Sequence, residues 1–74
     1  RSEVTRTLQT AFGLTPAEAR LASRIGAGET LRDAAGAEAI SLETARSRLK
    51  VVFGKTRTHR QAELALLLAG LLAS

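Results

Sequence analysis

A chain of 74 residues is too short for two ordinary domains, and at this size folding buries only about 60% of the surface the unfolded chain exposes, so one small domain without a deep cleft is expected. No cysteine is present, which removes disulfides, thiolate nucleophiles and thiolate metal sites, and one histidine with seven carboxylates leaves little for a catalytic centre; neither an enzyme, nor a metal site, nor a cofactor is expected. A net charge of +4, a 45% hydrophobic fraction and only two aromatics, Phe12 and Phe53, suit an all-α domain rich in alanine and leucine rather than a β-rich or disordered chain. The longest apolar stretch, Ala62 to Ala73, contains Glu63 and Gly70 and falls short of the roughly 20 apolar residues a membrane span needs. Opening on Arg1 rather than methionine, with no charged leader before an apolar run, the chain reads as a piece of something longer.

In chain order, Val4, Leu8 and Ala11/Phe12 repeat at helical spacing, so residues 1–12 read as a linker or an N-terminal helical extension, ahead of a domain over 13–74. A threonine followed three residues later by an acid or glutamine then occurs three times: Thr15 with Glu18, Thr30 with Asp33, and Thr58 with Gln61. Each places a hydroxyl to accept from an orphan backbone N–H and a side chain to reach back, the capping-box arrangement, and so predicts three helix starts. Pro16 falls at the first helical position, where its missing N–H costs nothing. The first of these helices should run from Pro16 to about Ala27, with Ala19, Leu21, Ala22 and Ile25 inward and Gly28 as a left-handed stop. The second, Leu31 to about Glu38, is short and alanine-rich. Ala39 and Ile40 leave room only for a tight turn before Ser41, which caps a helix over Leu42 to about Lys55.

Residues 1–40 carry five cations against five acids; residues 41–74 carry six against two, with no acid between Arg46 and Arg60. The whole positive excess therefore lies in one short segment, which fits a polyanion, nucleic acid first and an anionic membrane surface second. On the helix from Leu42, the residues Leu42, Ala45, Leu49, Val52 and Phe53 form a core stripe, while Arg46, Ser47 and Lys50 form an outward ridge flanked by Ser41, Thr44 and Arg48. A short helix, a tight turn and a capped basic helix make the layout of a helix-turn-helix, whose second helix enters the major groove of DNA. The last helix, about His59 to Ala73, is apolar nearly all round. It can bury only one face in its own core, so leucines left over imply a partner helix.

The order of residues resembles the LuxR-type (GerE-type) helix-turn-helix domain of bacterial transcription regulators. The resemblance spans Phe12 to about Leu68. It is carried by Leu14-Thr15-Pro16-Ala17-Glu18, Gly28, Ile40-Ser41, Ser41 with Thr44-Ala45-Arg46, Lys55, and Arg60-Gln61-Ala62-Glu63-Leu64. It implies a four-helix domain that binds double-stranded DNA as a homodimer through its last helix, in the bacterial cytoplasm, behind a sensing or receiver domain. It further implies that Arg46, Ser47 and Lys50 face bases. Thr30, Ser41, Thr44, Arg48 and Lys55 would lie against phosphates, joined by Arg57 on grounds of charge, and Leu64, Leu67, Leu68 and Leu71 would form the dimer interface.

The usual pattern has leucine where Glu38 stands and glycine where Ala39 stands. A carboxylate in place of a core leucine must tilt to solvent or pair with a cation, and alanine in a left-handed turn is mildly strained, so the second helix is expected to end early or pack loosely. Two other function classes compete: a sigma-factor-like helix-turn-helix acting as a single copy, and a protein-interaction domain that has lost DNA. His59 lacks co-ligands at metal spacing, and the glycines form no phosphate-cradling loop.

Overall fold

The computed structural model describes residues 2–73, and side-chain surroundings for residues 3–71. Among them the chain is all-helical: α1 (Ser2–Phe12), α2 (Pro16–Gly26), α3 (Leu31–Ala37), α4 (Leu42–Thr56) and α5 (Gln61–Ala73). None of these helices is long and apolar enough to cross a membrane.

Helix α2 packs against all four others. Its Ala19, Leu21, Ala22 and Ile25, the inward set expected from the sequence, are all buried. They meet Leu8, Leu14, Ala34, Val52, Leu64 and Leu68 in one core, with Val4, Phe12, Leu49 and Phe53 packed around it. Leu8 is fully buried. Residues 2–12 are therefore a packed helix of this core and not a linker beside it. Gly26 lets α5 come close to α2, because a Cβ there would collide with the Leu68 side chain.

Local chemistry explains the boundaries. Thr15 Oγ1 accepts from Glu18 N (3.1 Å) while Thr15 N donates to Glu18 Oε1 (2.9 Å), a complete capping box with Pro16 at the first position. Thr30 and Ser41 each accept one backbone N–H, from Asp33 and Thr44. The Asp33 carboxylate does not reach back, so Thr30 makes half a box. The third expected box does not form. Thr58 is buried, its hydroxyl paired with that of Thr56 at 2.8 Å, and α5 begins two residues later than predicted, at Gln61. Glu63 instead accepts from His59 N, and Gln61 crosses to α2, donating to the carbonyls of Ile25 and Glu29.

Both α2 and α3 end in Schellman motifs. Gly28, at φ +103°, donates to Ile25 O while Glu29 N donates to Arg24 O. After α3 the same pair of bonds runs from Ala39 N to Gly36 O and from Ile40 N to Ala35 O, with Ala39 at φ +57°. The second helix thus runs to Ala37 with Glu38 as its cap and does not end early, and alanine does occupy a left-handed position. A Cβ there costs about 1 kcal/mol. Ala39→Gly should accordingly raise stability by about 0.5–1 kcal/mol, the gain being trimmed by the greater freedom of glycine in the unfolded chain. A urea midpoint unchanged or lowered by this substitution would show that the turn stores no such strain.

Candidate nucleic-acid interface

Helix α3, the turn at 38–41 and helix α4 form a continuous unit, α3 and α4 packing on each other while α2 supports both. Ser41 caps α4: its Oγ accepts from Thr44 N and donates to Thr44 Oγ1, both at 3.0 Å. Of the predicted core stripe, Ala45 and Val52 are buried and Leu42, Leu49 and Phe53 half-buried. This fixes which side of α4 faces out. Arg46, Ser47 and Lys50 are all exposed there, together with Glu43, Thr44, Val51 and Gly54.

The cations divide into two groups. Arg46, Arg48, Lys50 and Arg57 form no salt bridge among the described residues, and Arg48 alone of them is half-buried. Arg20, Arg24 and Lys55, by contrast, are held inside the domain. Lys55 Nζ donates to Glu18 Oε1 at 2.8 Å and to Gly13 O at 3.2 Å, tying the last turn of α4 to the start of α2. The hydrogen bond from Lys55, then that from Thr15 N, holds the Glu18 carboxyl below the usual carboxylate range. Lys55, which the resemblance places against phosphate, has its ammonium on a carboxylate 37 positions away in sequence rather than projecting freely from α4.

Glu38, the cap residue of α3, receives Arg20 Nε at 2.8 Å and Arg24 Nε at 2.9 Å, and Arg24 also meets Glu29 at 3.3 Å. Its side chain is only 8% exposed. The expected pairing with a cation is thus satisfied twice over, from two arginines one turn apart on α2. They push the Glu38 carboxyl downward, Arg20 more than Arg24, against the opposing effect of burial. The turn that presents α4 is thereby fastened to α2 by charge where leucine would have done so by packing. Glu18 and Glu38 are linked to the same end: each steadies α4, one at its end and one ahead of its start.

Thr30, Ser41 and Thr44 are exposed, and Arg57 closes α4 in a left-handed conformation at φ +58°. Sequence reasoning missed Val51, exposed at 44% on the face shared with Ser47 and Lys50.

Of the α5 leucines expected at an interface, Leu64 and Leu68 belong to the core instead. Leu64 is fully buried and Leu68 6% exposed, both inside the core, and Leu67 and Leu71 are half-buried against it. The reason is that α5 packs mainly on α2, where the Leu68 side chain lies against Gly26, with α1 as a second wall. The outward face of α5 is Ala62, Leu66, Ala69 and Gly70, with Leu66 at 75% exposure. Leu72 lies outside the described side chains. Among the described residues no group of three or more histidine or acidic side chains is placed to hold a metal. Comparison with models of protein families, with curated proteins and with solved structures finds no match to this chain.

Proposed function

We propose that this chain is a double-stranded DNA-binding module of a transcription regulator, of the LuxR helix-turn-helix type, with α4 lying in the major groove. One observation carries the reading. Arg46 and Lys50 stand exposed one turn apart on a capped helix that follows a short helix and a tight turn, and no carboxylate among the described residues takes up their charge. Arg46 would take the paired acceptors of a guanine, Lys50 a purine acceptor next to it, and Ser47 a base edge between them. Arg48 and Arg57 would meet phosphates, with the Thr30 hydroxyl donating to a phosphate oxygen while it still accepts its capping bond, the Thr44 hydroxyl donating while it accepts from Ser41, and Ser41 turning its proton from Thr44 to the phosphate. The exposed Leu66 face of α5 favours a homodimer over a single-copy sigma-type module, since two such faces can bury one another.

The test is fluorescence anisotropy against a pool of duplexes across a salt series. Binding should fall linearly in log–log against salt. Arg46→Ala should narrow the gap between preferred and random duplex by about 1–3 kcal/mol, whereas Arg48→Ala should weaken all duplexes alike and lower the salt slope by about one. If no duplex binds at low salt and high protein concentration, the proposal fails.

A further inference from the structure

Valine at position 51 is not explained by the fold. It lies mid-helix, where a β-branched side chain is a poorer choice than alanine, and it is 44% exposed, so the core does not ask for it either. Among the described residues only Val51 and Leu66 are large hydrophobics left open to solvent. Val51 shares a row of α4 with Ser47 one turn before and Lys55 one turn after. The long Lys55 side chain would ordinarily drape over such a neighbour. Here it is drawn off to Glu18 and Gly13, which leaves the isopropyl group uncovered. On the adjoining row Arg46 and Lys50 lead to Gly54, where a Cβ would meet nothing within 4 Å, so nothing in the protein requires the lack of a side chain. Val51 is thus a small apolar patch with cations along one side and low relief beyond it.

Charge complementarity selects the occupant. A surface flanked by Arg46 and Lys50 suits a polyanion, and the one apolar group on the major-groove edges of DNA is the C5-methyl of thymine. We propose that Val51 is a specificity-determining residue that packs against a thymine methyl. This rests on the DNA-binding reading above. Val51 lies five positions after Arg46, about 7.5 Å along the helix and so roughly two base-pair steps from the base that Arg46 would read. Ser47 and Gly54 let α4 settle deeply enough for that contact.

The experiment uses a duplex selected from a random pool by this chain, resynthesised with deoxyuridine in place of each thymine in turn, which removes the methyl and nothing else. At one thymine per half-site, about two steps from a guanine, the wild type should lose about fourfold in affinity, the worth of one buried methyl. Val51→Ala, which keeps the helix and is checked for folding by circular dichroism, should bind the thymine and deoxyuridine duplexes equally while still preferring the selected sequence through Arg46. The coupling between the two changes is the reading that a merely structural valine would not produce. Selection of a site with no recurring thymine, indifference of the wild type to every replacement, or an undiminished deoxyuridine penalty in Val51→Ala would each overturn the assignment while DNA binding stands. Absence of binding to any duplex would remove the functional reading and this one together.

Discussion

Leu64→Ala should cost about 2–5 kcal/mol of folding stability, because the side chain is fully enclosed and its loss leaves a cavity that the neighbouring helices close only in part. For a domain of this length the whole stability is on the order of 4–11 kcal/mol, so the variant should melt far earlier and be partly unfolded at physiological temperature. Leu66→Ala, one turn-face away, should change stability by less than about 0.5 kcal/mol. The two leucines part company in the other direction when self-association is measured. Leu66→Glu should shift sedimentation of the chain, alone or on a two-half-site duplex, toward one copy, and should do so without lowering the melting temperature of dilute protein. A Leu64→Ala variant as stable as wild type would place that side chain at an interface after all, and indifference of sedimentation to Leu66→Glu would remove the α5 face as the site of pairing.

The second large effect lies in the charge cluster ahead of α4. Removing both partners of Glu38 in Arg20→Ala/Arg24→Ala strands a carboxylate whose side chain is 8% exposed, at the negative end of a helix, and should cost about 3 kcal/mol at neutral pH. The sign of its pH dependence is the sharper test. In the wild type the carboxyls of Glu18 and Glu38 both titrate below the unfolded value of about 4.3, so their contribution is complete above that pH and is lost as acid protonates the folded form. In the double variant burial without a cation raises the folded value of Glu38 above the unfolded one. Its penalty then disappears as pH falls, and the stability gap to the wild type should close from about 3 kcal/mol toward zero between pH 7 and 3. Urea midpoints across that range decide it; a gap independent of pH would mean that Glu38 is not the group responsible. Glu38→Leu should cost less than about 1 kcal/mol, since the half-exposed arginines it frees return to water.

Most helix starts were legible because capping is local chemistry: Thr15, Thr30 and Ser41 accept from backbone groups three residues away, and a short window of sequence contains everything the bond needs. Thr58 has the same spacing and fails because a closer hydroxyl, Thr56, captures it in a buried corner. The outward face of α4 could be read from its apolar stripe, which is uneven around the helix. The core face of α5 could not: with apolar residues on every side, only its packing against α2 and α1 decides that Leu64 and Leu68 turn in and Leu66 out. That Glu38 must either tilt to solvent or pair with a cation followed from its standing where the resemblance has leucine, but the choice, and which cations would answer, depended on α2 passing beside the α3 cap. The partner of Lys55 was hidden for the same reason, being near in space and far in sequence.

The division between satisfied and unsatisfied cations has a consequence for motion before any contact is made. With Arg20, Arg24 and Lys55 each cancelled at short range, the positive excess is displaced toward the α4 side, and the centre of charge does not coincide with the centre of mass. On the proposed DNA-binding reading, such a body would feel a torque in the field of the duplex and turn as it diffuses, arriving with α4 foremost over the last Debye length, about 8 Å at physiological salt. Orientation by the field replaces much of the rotational search that a uniformly charged domain of the same net +4 would have to complete at the surface.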